Sequence, residues 1–264
     1  MPYAGVNGHR LYYEVGGEGD AVLLLHGFLG NADLLEAPAT GLASGFRAIR
    51  LDRRLCGRSE GPPGAVSVAD EVTDLVTLID WFGIDRTHLV AHDEGADVAV
   101  AFALAAPART LSMALLAPAL DGLDPWLGHF TAQPDLVSAL RADPKRGAME
   151  TWLASPVFDV AREEEGLLDR IGDIFRRYPA TADRYLRPPG GASKAANRLG
   201  EVVARTAVFI GGRDLPERQE AAQSIAAGIP GAELITFPQL SRFLHIEDSR
   251  PVMRRLTDFF LPES

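Results

Sequence analysis

Cysteine is nearly absent. Cys56 is the single one in 264 residues, so no disulfide can form within the chain, and a reducing compartment is expected. Lysine is almost as scarce, with Lys145 and Lys194 against twenty-four arginines (26 basic residues less two). No apolar run approaches the roughly 18 residues that cross a bilayer. Met1 to Arg10 lack the basic and then apolar pattern of an export signal, so a cytoplasmic protein without a membrane partner is expected. Paired cysteines and a His-Glu-x-x-His helix are missing, and His88 and His92 fall on a strand and its turn, where four-residue spacing does not converge on an ion. We therefore expect no metal and no cofactor. The formal charge of −10 excludes the basic field that nucleic acid requires. Gly16-Gly17-Glu18-Gly19 does not lead a strand into a helix, so it is a turn and not a phosphate loop.

What is present is a regular alternation. After the tip Asn7-Gly8, His9 to Val15 reads as the edge strand of a hairpin. Ala21 to Leu25 is wholly apolar, as a strand buried on both faces should be. Asn31 or Asp33 can cap a helix from Leu34 to Ala43, and Phe46 to Leu51 is the next strand. Ser67, Asp70 and Glu71 form a capping-box pattern before a helix with an apolar face. Thr87 to Ala91, Leu111 to Ala117, Thr206 to Ile210 and Glu233 to Phe237 are further strands. Ala96 to Ala106, Glu217 to Ala227 and Ser249 to Phe260 are further helices, and Leu244-His245-Ile246 reads as a loop. This pattern defines an α/β fold with a doubly wound, mostly parallel sheet. Residues 118–198 change character, with prolines, tryptophans and the acidic run Glu163-Glu164-Glu165. We expect residues 1–117 and 199–264 to form the core and 118–198 a helical cap inserted after the sixth strand.

Ligand sites of such sheets lie beyond the carboxyl ends of the strands. There the chain places His26-Gly27-Phe28, Asp93-Glu94, Asp214 and His245. Asp93 follows a buried strand and precedes Gly95 and a helix, the geometry of a nucleophile elbow. Taken alone, it could equally cap that helix. Asp214 could be a turn residue before Pro216, and His245 an incidental histidine. Cys56 reads as packing, because its own loop offers no base.

The order Asp93, Asp214, His245, together with Leu24-Leu25-His26-Gly27-Phe28 and Leu51-Asp52-Arg53-Arg54, resembles the α/β-hydrolase superfamily over essentially the whole chain. The resemblance implies Asp93 as nucleophile, Asp214 as the acid that orients His245, and His245 as the base. The backbone N–H groups of Phe28 and Glu94 would form the oxyanion hole. An aspartate is already anionic at neutral pH. Attack on a carbonyl would yield an anhydride, whereas attack on a saturated carbon bearing a strained or good leaving group yields an ordinary ester that water can cleave. The chemistry points to epoxides and carbon–halogen bonds.

Epoxide hydrolases of this fold use cap tyrosines to protonate the leaving oxygen, and Tyr178 and Tyr185 are the tyrosines of that interval. Trp126 and Trp152 are further substrate-binding candidates, and the expected partner is a hydrophobic small molecule. The proline usual after His-Gly-Phe is here Leu29. Haloalkane dehalogenases commonly carry tryptophan after the nucleophile and asparagine after His-Gly, where this chain has Glu94 and Phe28. A carboxylate at Glu94 facing the site would repel a departing halide. The His-Trp pair of fluoroacetate dehalogenases has no counterpart in the cap interval. Epoxide opening leads, with halide displacement as the alternative. The carboxylate cluster Asp93, Glu94, Asp97 motivates a third reading: a ligand-binding or non-hydrolytic protein on the same fold.

Overall fold

All five side chains of the apolar run Ala21–Leu25 are buried, and the strand they form, β3, alternates between two cores. Leu23 and Leu25 face one, Val22 and Leu24 the other, as the period of two dictates. In the computed structural model, which describes residues 2–123, 138, 142–143, 147–180, 184 and 193–261, this strand lies within an eight-stranded sheet ordered β1-β2-β4-β3-β5-β6-β7-β8. The other strands are β1 (Tyr3–Val6), β2 (His9–Gly16), β4 (Arg47–Leu51), β5 (Thr87–His92), β6 (Thr110–Leu116), β7 (Arg205–Gly211) and β8 (Glu233–Phe237). β1 pairs antiparallel with β2, and β2 with β4; every other pair is parallel. Asn7 and Gly8 join β1 to β2, both at positive φ (44° and 83°), which matches the twist of a two-residue hairpin.

The helices are α1 (Glu36–Leu42), α2 (Val68–Trp81), α3 (Gly95–Ala105), α4 (Gly147–Leu153), α5 (Asp159–Glu163), α6 (Leu167–Arg177), α7 (Pro216–Gly228), α8 (Leu244–Glu247) and α9 (Ser249–Phe260). α2, α3 and α7 bury side chains such as Leu78, Phe102 and Ile225 on one face of the sheet. α1 and α9 bury Leu42, Val252 and Leu256 on the other. The sheet is therefore doubly wound, as its alternating pattern requires. Ser67 opens α2 with a complete capping box, in which its hydroxyl accepts from Asp70 N and the Asp70 carboxylate accepts from Ser67 N.

A third apolar cluster lies where the strands end. Phe28, Leu29, Leu34 and Phe243 from the strand-end loops pack with Trp152, Phe158 and Phe175 from the helices between β6 and β7. Among the described residues of that interval there is no strand. No helix of the described residues is long and apolar enough to cross a membrane.

Two local expectations change. The helix expected from Leu34 splits into a 3-10 turn, Ala32–Leu35, followed by α1, with Asn31 Oδ1 accepting from Asp33 N at 3.0 Å. The loop expected at His245 is the short helix α8. Glu247 folds it back: its carboxylate accepts from Ser241 N at 2.6 Å, Ser241 Oγ at 2.6 Å and Phe243 N at 2.9 Å.

Candidate active site

Asp93 stands between β5 and α3 at φ 53°, a left-handed conformation that costs a non-glycine residue about 1–3 kcal/mol. Two glycines make this turn possible. A Cβ at Gly95 would lie 2.5 Å from Leu25 O and 2.7 Å from His26 O, and one at Gly27 would lie 2.5 Å from the Asp93 Cβ. Neither position has room for a side chain. His26 ties the neighbouring loops together, its Nε2 accepting from Arg53 N at 3.0 Å and its Nδ1 lying 2.9 Å from Gly27 O. As a result Phe28 N–H points at the elbow and donates to Asp93 Oδ2 at 3.0 Å. This backbone group stands where the sequence put one oxyanion donor.

The other Asp93 oxygen is held by arginines. Arg242 Nη2 forms a close ion pair with Oδ1, and Arg218 Nη1 lies 3.5 Å from the same atom. All three residues are buried. Burial alone would raise the Asp93 carboxyl, but the charges of Arg242 and Arg218, with His92 and the hydrogen bond from Arg242 adding to them, hold it well below the usual carboxylate range. Asp93 is a permanent anion at neutral pH, and one of its oxygens is occupied.

Asp214 is buried in the loop after β7, where its Oδ1 accepts from Leu215 N at 2.8 Å. Burial pushes its carboxyl up, against the opposing pull of Arg242 and Arg218. His245 is fully buried, and its ring meets His92 edge-on at 4.6 Å between centroids. Neither of its ring nitrogens meets ordinary hydrogen-bond geometry with a partner among the described residues. The expected Asp214 to His245 hydrogen bond is therefore not formed. Burial holds the His245 imidazole well below its ordinary value, with His92 adding to that and the backbone of Leu34 acting the other way. The structure thus brings Phe28 N–H to Asp93, sets Asp93 and Asp214 in the field of the same two arginines, and among the described residues leaves His245 without a carboxylate partner.

Glu94 requires a correction. Its side chain does not face Asp93; it is buried and accepts from Arg53 Nη2 at 2.8 Å. Arg53 also lies 3.6 Å from Glu71, which accepts from Arg184 Nη2 at 2.8 Å. The repulsion of a departing halide expected from Glu94 accordingly has no geometric basis.

The substrate-binding candidates separate. Trp152 is buried over the site, 5.1 Å from Phe28 between ring centroids and with the Arg242 guanidinium 5.5 Å from its ring. Tyr178 packs on the Arg58 guanidinium at 4.2 Å, a group engaged by Asp52 and Asp33. Trp126 and Tyr185 lie outside the described residues. Cys56 is buried and burial raises its thiol, which suits packing and not attack. Sequence reasoning missed Arg242 and Arg218. The available signal was their placement in the same loops as the predicted acid and base, Arg218 four residues after Asp214 and Arg242 three before His245.

A carboxylate on a strained strand-to-helix turn, with a loop N–H aimed at it and a histidine from a later loop in the same buried cluster, is the elbow architecture of a hydrolase fold. A family model described as alpha/beta hydrolase fold matches residues 20–249. The chain belongs to that family. It is 27% identical over 261 residues to 2-hydroxy-6-oxononadienedioate/2-hydroxy-6-oxononatrienedioate hydrolase 2 of Pseudomonas putida, covering 95% of this chain and 91% of the relative. It is 28% identical over 267 residues to 2-hydroxy-6-oxo-6-phenylhexa-2,4-dienoate hydrolase of Comamonas testosteroni, covering 94% and 90%. Among solved structures it resembles the enol-lactonase from Burkholderia xenovorans LB400, with TM-score 0.82 and 23% identity over 98% of this chain and 99% of that one, a likeness of fold. It also resembles Est816, an N-acyl homoserine lactone degrading enzyme, with TM-score 0.80, 25% identity and coverage of 98% and 100%. These relatives are hydrolases and lactone-degrading enzymes by name, and none of the four is named for an epoxide.

Proposed function

We propose that this chain is a hydrolase that opens an epoxide of a small hydrophobic molecule through an ester on Asp93. The observation that carries the reading is the carboxylate at the elbow apex, held anionic and aimed against Phe28 N–H. An Asp93 oxygen attacks a ring carbon, the carbon–oxygen bond breaks, and the leaving oxygen takes a proton. Water then attacks the Asp93 carbonyl carbon as His245 accepts its proton. The oxyanion rests on Phe28 N–H; collapse passes the His245 proton to the departing oxygen and releases the diol, and the regenerated Asp93 carboxyl loses its proton to solvent, replacing the one the leaving oxygen took. Hydrolysis among the named relatives supports the general reaction type; the aspartate at this position supports attack on a saturated carbon, with an epoxide or a carbon–halogen bond to break.

The leaving oxygen needs a donor, and the packing of Tyr178 on Arg58 supports a different residue in that role. Arg242, in contact with Asp93, can donate a hydrogen bond to the developing alkoxide, which takes its proton from water. A second reading, binding without hydrolysis, is favoured by two specific observations: the ion pairs on Asp93 Oδ1 and the absence, among the described residues, of a carboxylate partner at His245.

One turnover in oxygen-18 water with a panel of epoxides and chlorinated analogues separates these readings. Label in the Asp93 peptide supports the covalent ester, and label confined to the product rejects it. His245→Gln should trap the ester as a mass increase on the same peptide.

A further inference from the structure

Among the described residues, five that are not glycine hold a left-handed backbone: Asn7 in the hairpin, and Leu29, Leu55, Asp93 and Ala117. The last four stand in the loops that leave β3, β4, β5 and β6, which are neighbours in the sheet. Such conformations are costly and persist only where the surroundings impose them. The turn at Ala117, φ 42°, has an identifiable effect on the elbow. It follows β6 directly, with Ala117 N donating to Phe209 O of β7 at 2.8 Å, and returns the chain to Asp93. Asp93 N donates to Leu116 O at 3.1 Å, and Ala119 N donates to Asp93 O at 3.0 Å. The end of β6 therefore grips the main chain of Asp93 on both sides. Ala119 is fully buried, so water does not compete for its bond.

We propose that Ala119 is a positioning residue that aims the second expected oxyanion donor, the Glu94 N–H. The Asp93 carbonyl and the Glu94 N–H belong to one peptide unit, which is planar and trans, so the two point in opposite directions. Whatever fixes Asp93 O therefore sets the direction of Glu94 N–H. Ala96 N, in the first turn of α3, also donates to Asp93 O at 3.0 Å, but that bond belongs to the helix and turns with it. The bond from Ala119 comes from a separate element, and the two together leave the peptide one orientation. Ala117 supplies the stiffness of the turn, because the left-handed well of alanine is far narrower than that of glycine. The Glu94 side chain takes no part. The use of Glu94 N–H in catalysis rests on the hydrolase reading; the direction of that bond does not.

The test replaces the Ala119 amide by an ester in the full chain, which deletes one N–H and keeps the side chain. Water attack on the Asp93 ester should then slow by about tenfold or more, part of what losing an oxyanion donor outright costs. Formation of the Asp93 ester should keep its rate, because no oxyanion develops on Asp93 in that step. Mass analysis of a single turnover, on the substrate found by the oxygen-18 panel, reads both steps as the rise and decay of the Asp93 adduct. Ala119→Gly, which retains the N–H, should rescue the second step to within about threefold of the wild type. Equal slowing of the two steps, or of neither, overturns the proposal. The residual dipolar coupling of Glu94 N–H reports the direction of that bond with no substrate present. It should change in the ester variant while the Phe28 coupling stays, and an unchanged Glu94 coupling also overturns the proposal. If the ester variant fails to fold, Ala117→Gly decides by the same two measurements, with the second step alone expected to slow by about threefold. If no Asp93 adduct forms even in His245→Gln, the hydrolase reading falls, and the coupling by itself decides whether Ala119 aims Glu94 N–H.

Discussion

Two neighbouring carboxylates, Asp93 and Glu94, enter two different arginine clusters, and the difference between the clusters separates structure from chemistry. Glu94 turns into a network in which Arg53, Glu71 and Arg184 alternate in charge, and Arg184 continues to Arg54 O at 2.7 Å. That network links the elbow, the loop after β4, helix α2 and a residue of the interval between β6 and β7. Asp93 turns the other way, onto Phe28 N–H, Arg242 and Arg218, so that a single carboxylate faces two guanidiniums. Both carry the desolvation of buried charge, but the Glu94 network spreads it over alternating carboxylates and guanidiniums, whereas the Asp93 cluster sets one carboxylate against two guanidiniums.

The largest effect that tests this contrast is on turnover. Asp93→Asn should lower kcat by roughly 10^4-fold or more, the scale seen when a nucleophile is removed, in a steady-state assay on any substrate the oxygen-18 panel identifies. A variant within tenfold of the wild type would place the chemistry elsewhere. Glu94→Gln should act on stability instead. Leaving Arg53 with Glu71, 3.6 Å away, as its remaining carboxylate is expected to cost about 1–3 kcal/mol by urea denaturation, while activity per folded molecule stays within a few fold. A Glu94→Gln protein of normal stability and lost activity would erase the distinction.

Acid should weaken the fold next. Burial holds His92 neutral down to about 4, with the Arg242 charge acting the same way against the pull of Asp93, whereas the same group in the unfolded chain takes its proton near 6.5. The neutral ring's contribution is therefore complete above pH 6.5 and declines as pH falls from there to about 4, by up to about 3 kcal/mol at 1.4 kcal/mol per unit. His26 and His245, also held low by burial, act in the same direction. Urea midpoints between pH 7 and pH 4 measure the slope, and a flat profile would contradict the buried neutral rings. The smallest effect is expected from Tyr178→Phe, which should change kcat less than threefold because its ring packs on Arg58. A loss of a hundredfold or more would return Tyr178 to the role of proton donor.

The elbow was legible because its signals are local: an apolar strand, a polar apex and a glycine two residues on. The fold was legible for the same reason, with β3, β8 and α9 read to the residue from periodicity and turn residues. The arginines were not. Ser241-Arg242-Phe243 and Glu217-Arg218 look like surface segments in one dimension, and their burial is created by the Glu247 carboxylate folding the 241–247 loop inward and by the helices between β6 and β7. The direction of Glu94 was unreadable for a related reason. Which way a side chain turns at a helix start depends on partners such as Arg53, brought near only when β4 pairs beside β3. Helix propensity and spacing carry no information about such contacts.

The burial of Arg242 beneath Trp152 also has a kinetic meaning. A group 1% exposed cannot be struck by a solute arriving from bulk water. Side chains over it must part first, so the observed association rate should level off as ligand concentration rises, at the rate of that parting, instead of climbing linearly. In stopped-flow mixing, Trp152 sits close enough to the guanidinium to report the event, and the plateau would measure how often the closed site opens.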